Sequence, residues 1–386
     1  MHKIPYGKQE ITQEDIAEVV KTLQSDFLTQ GPKIAEFENR FAHYVDARYA
    51  VAVCNGTAAL HMAVLALGLQ PGQKVITTPI TFVASANCAL YAGAEVFFVD
   101  IDPQDYNMDV AKLEALLKSH PKNTFAGIVP VAFGGCPLKL EKIAALAKEH
   151  GLWIVEDACH APGGYFTDSK GKTIKCGSTV YSELSCFSFH PVKHIAAGEG
   201  GMITTNDEKL YNKLKLLRTH GITKEAALLK ENHGGWYYEM QELGYNYRIS
   251  DINAALALSQ LNRADKGIQR RHEIAGKYQS AFASLPLTYQ KMQPGYFSAY
   301  HLYIIETDRR KELYDFLVTK GIFAQIHYIP VHLQPYYKTL GFKKGDFPVA
   351  ERYYERCISL PMYASLSDAE LEHVIQSVKD FFSNGH

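Results

Sequence analysis

Along the N-terminal stretch Ile16, Val19, Val20 and Leu23 recur at helical spacing, which predicts a helix over 13–24 that stops before the turn at Gly31-Pro32. Ile34, Phe37, Phe41 and Val45 form a second stripe and predict a helix over 33–45. From residue 49 the pattern changes. Short apolar runs over 50–54, 74–78, 95–100, 125–132 and 152–156 read as strands, with helical stretches over 56–67, 81–91, 110–118 and 138–150 between them. Unbroken apolar strands alternating with helices predict an α/β fold: a mostly parallel sheet covered on both faces.

Further along, polar residues over 163–182 read as a hairpin or loop excursion before strands over 184–189 and 202–205. A helix over 208–218 follows, then an irregular stretch over 222–247 rich in glycine and aromatic residues. The helical pattern over 250–285 is continuous except for the weak point Gly267, and a helix of that length commonly bridges domains. We place a boundary near residue 262, with an N-terminal arm and large domain over 1–262 and a smaller α+β domain over 263–386. Strands are expected over 300–306 and 324–328, and helices over 311–320, 349–357 and 368–382.

Composition narrows the function classes. A net charge of −1 and the lack of a basic run argue against nucleic acid and membrane surfaces as partners. The first residues lack the apolar core of a signal peptide, and no apolar stretch is long enough to span a bilayer. Seven scattered cysteines without a C-x-x-C pair read as reduced thiols in a cytoplasmic protein. Sixteen histidines raise the question of a metal, but no ligand spacing supports one, so none is expected.

Three short stretches carry chemistry. Asn55-Gly56-Thr57-Ala58 ends a strand and opens a helix, where free N–H groups favour an anion; an ordinary helix cap is the alternative. Asp157 sits at a strand's carboxyl end, where it could pair with a protonated ring nitrogen or serve as a cap. Lys193 follows the strand 184–189, with Gly198, Gly200 and Gly201 behind it. Such a lysine suits Schiff-base chemistry once its pKa is lowered, and a solvated surface lysine is the plain alternative. In parallel sheets ligands gather at the carboxyl ends of strands, so all three could share one crevice.

Taken in order, these stretches resemble the DegT/DnrJ/StrS group of fold-type-I, PLP-dependent nucleotide-sugar aminotransferases. The resemblance runs through Leu28-Thr29-Gln30-Gly31-Pro32, Gly56-Thr57-Ala58-Ala59-Leu60, Thr81-Phe82-Val83-Ala84, Glu156-Asp157-Ala158, Ser188-Phe189-His190-Pro191-Val192-Lys193, Glu199-Gly200-Gly201 and Gly244-Tyr245-Asn246-Tyr247-Arg248. It implies an aspartate aminotransferase-like large domain with a seven-stranded sheet, and pyridoxal 5'-phosphate (PLP, or its amine form PMP) as cofactor. Lys193 would bond the cofactor and Asp157 hold its ring nitrogen; His160 would meet the ring hydroxyl and Phe82 stack on the ring. Thr57, Ala58 and Ser188 would bind the phosphate, joined by Asn246 from the second subunit of a homodimer that shares its active sites.

Within the group, the stretches 28–32, 188–193 and 243–261, and Ala324-Gln325-Ile326-His327-Tyr328-Ile329-Pro330 with Ser359-Leu360-Pro361, are most similar to the aminotransferases of pseudaminic acid biosynthesis. That implies L-glutamate as donor and a UDP-linked 4-keto-6-deoxy-N-acetyl-hexosamine of the L-altro series as acceptor at C4. Another UDP- or dTDP-4-keto sugar is the alternative acceptor. Tyr6, Arg218, His327, Tyr328 and His332 are candidate substrate contacts. Sugar 3-dehydratases of the same group carry histidine in place of the lysine, which Lys193 disfavours. A non-enzymatic regulator on the same scaffold is disfavoured by the complete lysine, aspartate and phosphate set.

Overall fold

Seven strands form the central sheet: β1 Tyr49–Val53, β2 Lys74–Thr77, β3 Glu95–Phe98, β4 Gly127–Ile128, β5 Trp153–Asp157, β6 Leu184–Ser188 and β7 Gly201–Thr205. The computed structural model describes residues 3–383. The strand order is β1-β7-β6-β5-β4-β2-β3, parallel except for β7, which runs antiparallel to both neighbours. Side-chain alternation explains the burial on both faces. Ala50 and Ala52 of β1 join one apolar cluster, whereas Val51 and Val53 join the other. The helix Gly56–Ala66 is buried almost all round, so its sequence shows little amphipathic contrast.

Residues 264–383 build a further core around a three-stranded antiparallel sheet of Thr288–Tyr289, Tyr303–Glu306 and Cys357–Leu360. The helices Ala264–Phe282, Arg310–Thr319 and Asp368–Ser383 contribute to it. Ile4–Pro5 of the N-terminal arm pairs in parallel with Ile322–Phe323, which ties the chain's start to this sheet region. Among the described residues no helix is long and apolar enough to cross a membrane.

Several expected elements differ. The long helical pattern over 250–285 is two helices, Asp251–Leu261 and Ala264–Phe282, with the break at Asn262 and Arg263 rather than at Gly267. Arg263 leaves helical geometry while its guanidinium binds Asp15 and the Glu10 carbonyl, a tertiary contact that local periodicity does not contain. The apolar run over 125–132 pairs only at Gly127–Ile128, with one further bridge from Val131 to Asp157, and then bends into a 3-10 turn at Phe133–Gly135. The run over 324–328 is extended but bridges only through Gln325. Cys357–Leu360 is a strand that was not expected; the helix expected to end at Cys357 closes at Arg356.

Candidate active site

The cavity that matters opens where β1, β5 and β6 end. It holds about 410 Å³ and is lined by Gly56, Thr57, Phe82, Asp157, Ser188 and Lys193, with Tyr6, His160, His301, His327 and Tyr328 over them. The sheet register explains the convergence. Gly201 pairs with both Val53 and Ser188, and Asp157 pairs with Cys186, so three loops leave the sheet side by side.

At the helix start, the Asn55 side chain accepts from the Ala58 N–H at 2.8 Å. That spends the Ala58 donor on the cap and leaves the amides of Gly56 and Thr57 in the helix's first turn. Gly56 is required by close packing: a Cβ there would lie 2.9 Å from the Ser188 Cβ. Ala58, expected to contact the phosphate, thus has its N–H engaged by the Asn55 side chain of the same helix start.

Strand alternation separates Glu156 from Asp157. Glu156 turns away from the cavity and accepts from Ser185 Oγ at 2.7 Å and the Gly177 N–H at 2.9 Å, and burial pushes its carboxyl up to about 7. Asp157 faces the cavity. Its Oδ2 accepts from Ser85 Oγ at 2.6 Å and its Oδ1 from the Cys159 N–H at 3.1 Å. Ser85 in turn lies 2.6 Å from Thr81 Oγ1. The motif Thr81-Phe82-Val83-Ala84 pointed to this turn, but the hydroxyl that aims the carboxylate is one residue beyond it.

Lys193 Nζ makes a hydrogen-bond contact with His301 Nε2 at 3.5 Å. Burial holds the amine's pKa below that of an ordinary lysine, and Cys159 and then Asp157 offset part of this. His160 Nδ1 accepts from the Gly134 N–H at 3.3 Å, which places the ring's proton on Nε2, 3.4 Å from the Tyr328 hydroxyl. Burial, then the charge of Lys193, keeps His160 neutral, its pKa well below the usual imidazole range. At the mouth, Phe82 is 57% exposed and tilts against Tyr328 at 6.2 Å between centroids, while Tyr6 meets His327 at 5.0 Å. Burial lowers His327 to about 3 and raises the Tyr328 phenol, so both stay uncharged near neutrality.

Two expected substrate contacts lie elsewhere. Arg218 binds Glu38 and the Ala52 carbonyl, anchoring a helix end to β1. His332 is fully buried against Glu351 at 2.9 Å. Asn246 is exposed, bridges to Thr219 through its backbone, and does not line the cavity of its own chain.

A family model described as the DegT/DnrJ/EryC1/StrS aminotransferase family matches residues 9–379. The chain belongs to this family. It is 42% identical to the spore coat polysaccharide biosynthesis protein SpsC of Bacillus subtilis, covering 98% of this chain and 97% of that protein. It is 37% identical to the UDP-4-amino-4,6-dideoxy-N-acetyl-beta-L-altrosamine transaminase of Campylobacter jejuni, covering 94% and 93%. Helicobacter pylori PseC, an aminotransferase involved in pseudaminic acid biosynthesis, superposes with a TM-score of 0.89 at 31% identity over 99% of this chain and 100% of that one. Spr1654 of Streptococcus pneumoniae, solved in its PLP form, superposes with a TM-score of 0.90 at 29% identity over 99% of both chains.

The chain is thus a sugar aminotransferase of PLP fold type I, and its cofactor is PLP. The cavity fits that group. It offers helix-start amides beside Ser188 where a Cβ would not fit, a buried carboxylate held by two donors, an exposed aromatic face and a half-buried lysine.

Proposed function

We propose that the chain transfers the amino group of L-glutamate to C4 of a UDP-linked 4-keto-6-deoxy-N-acetyl-hexosamine of the L-altro series, a step of pseudaminic acid biosynthesis. The observation that carries this reading is the joint likeness to the Campylobacter transaminase and Helicobacter PseC over nearly the whole chain. A second acceptor, another UDP- or dTDP-4-keto-6-deoxy sugar destined for a coat polysaccharide, is favoured by the 42% identity to SpsC.

In this reading Lys193 is the covalent anchor, Asp157 the partner of the ring nitrogen and His160 Nε2–H the donor to the ring hydroxyl. Phe82 covers one ring face. The Gly56 and Thr57 amides and the Ser188 hydroxyl hold the phosphate. When bound, PLP carries the amino group between substrates and takes up the electron pair released as a proton leaves carbon. Lys193 Nζ, a free amine once displaced, takes the proton from Cα of glutamate and later delivers one to C4 of the acceptor. Its lowered pKa supports that role. The neutral rings of Tyr6, His327 and Tyr328 form an apolar wall with polar tips, suited to a sugar face and its hydroxyls.

The reading also includes a homodimer, with Asn246 reaching the phosphate of the second copy. Ile16, Val20, Leu23 and Phe27 supply an exposed apolar stripe (43–53% exposed) that supports packing of a second copy there. The division into 1–262 and 263–386 belongs to the same reading, and the helix break at Asn262 supports it. The test is incubation with PLP, L-glutamate and a panel of UDP- and dTDP-4-keto-6-deoxy sugars, with products identified by NMR. A 4-amino product from the UDP-linked L-altro-series acceptor is expected. Amination of dTDP sugars alone would sink the proposed substrate and leave the aminotransferase assignment standing.

A further inference from the structure

His160, His194, His301 and His327 gather around Lys193, and their tautomers are not equally constrained. His160 carries its proton on Nε2, because Nδ1 accepts from Gly134. His194 Nε2 must donate, since its partner at 2.8 Å is the Ala299 carbonyl oxygen. His327 Nδ1 meets Ser359 Oγ at 2.9 Å, a hydroxyl that holds the ring whether it donates or accepts. His301 is different. Only 4% exposed, it faces Lys193 Nζ with Nε2 at 3.5 Å, and its Nδ1, like that of His194, is buried with no hydrogen-bond partner among the described residues, so no protein group other than the lysine fixes its tautomer.

The ring is well fixed even though its tautomer is not. It lies 4.2 Å from the His160 ring, centroid to centroid, and its backbone is clamped at Gly135. A Cβ on Gly135 would sit 2.9 Å from both the His301 nitrogen and the His160 carbonyl oxygen, and its φ of +94° also favours glycine. A rigid imidazole whose protonation site is set only by the lysine can follow that lysine's changes of state.

We propose that His301 is the positioning residue of Lys193: Nε2 accepts one N–H of the free ε-amino group and so turns the nitrogen lone pair toward the cavity. A free lysine side chain has about 2 kcal/mol of rotamer entropy to lose, and a fixed acceptor selects one orientation. The distance is at the long end for a hydrogen bond, as expected of a contact that tightens when the site fills. Burial, then the nearby Lys193, His160, His194 and Arg271, keeps His301 well below the usual imidazole pKa. It therefore stays a neutral acceptor and does not compete with Lys193 as the base. The inference rests on the assignment of Lys193 as the PLP-bonding residue, and not on which sugar is the acceptor.

The test follows covalent capture of PLP by apoprotein, read as the rate of the visible absorbance change across pH 6–9, for His301→Leu, His301→Asn and His301→Gln. Gln places its amide near the Nε2 position and Asn near Nδ1. The Leu and Asn variants are expected to capture PLP about 10- to 100-fold more slowly, the cost of a misplaced reacting group. Gln is expected to recover most of the rate. In turnover, kcat should fall with KM for the acceptor little changed. Wild-type capture by the Leu variant, or equal losses in Gln and Asn, would overturn the proposal. Should Leu fail to fold by circular dichroism, the Gln and Asn pair decides alone. No sugar is present during capture, so failure here is distinct from failure of the substrate reading.

Discussion

Ser85→Ala removes the hydroxyl that aims Asp157. The carboxylate has two donors, Ser85 Oγ at 2.6 Å and the Cys159 N–H at 3.1 Å, and the variant deletes the shorter. Because the single Ser85 proton goes to Asp157, Thr81 Oγ1 must donate to Ser85 and loses its acceptor as well. Asp157 is 4% exposed and Ser85 1%, so water replaces little of what is lost. A hydrogen bond to a charged group contributes about 1.5–3 kcal/mol. We expect a loss near the middle of that range, about 2 kcal/mol. With an unfolding entropy of about 2.1 cal/mol/K per residue over 386 residues, the apoprotein Tm should fall by roughly 2–3 °C. In the proposed reading a carboxylate free to turn also pairs less well with the cofactor's ring, and 1.4 kcal/mol of that bond corresponds to about a tenfold rise in the PLP Kd. Thermal unfolding of apoprotein and PLP titration by absorbance measure the two effects. An unchanged Tm together with an unchanged Kd would show that Ser85 does not hold the carboxylate.

Other perturbations separate structural from chemical roles. Arg218→Met should destabilise the protein by about 3 kcal/mol, the low end for breaking a buried pair, since it strands the mostly buried Glu38, yet leave PLP capture unchanged; a selective rise in KM would instead restore Arg218 as a substrate contact. His327 is depressed to about 3 by burial, below the roughly 6.5 of an unfolded histidine. Its contribution to stability is therefore complete above about pH 6.5 and lost as pH falls toward 3, so His327→Gln should flatten the fall in Tm across that window. His160, His194 and His301, also held below the usual range by burial, keep part of the slope, so an entirely unaltered slope would show that His327 does not contribute to it. Mixing inactive Lys193→Ala and Asn246→Ala chains should regain up to about a quarter of wild-type activity per chain, by exchange into dimers with one intact site. No recovery despite demonstrated exchange would rule out the shared site.

Much of this was legible because the site lies where strands end. Thr57, Asp157, Ser188 and Lys193 each follow an apolar run whose end the sequence marks, and parallel order brings those ends together. The helices Val110–Lys118 and Glu208–Arg218 matched their expected bounds, each starting just after an aspartate cap. What escaped depended on contacts distant in sequence. The break at Asn262 follows from Arg263 reaching Asp15. Cys357–Leu360 is a strand because Tyr303–Glu306 pairs with it. His301 stands just before a strand of the C-terminal sheet, with no local mark linking it to Lys193. Arg218 and His332 looked like free polar groups, and only the fold shows Glu38 and Glu351 beside them.

The central claim is that Lys193 is the residue that bonds PLP in this cavity. Treating the PLP-loaded protein with borohydride, digesting it and sequencing the peptides by mass spectrometry tests this directly. A pyridoxyl-phosphate mass on Lys193, absent from Lys193→Ala, is the expected result. A stoichiometric adduct on any other lysine, or none with Lys193 intact, would contradict it.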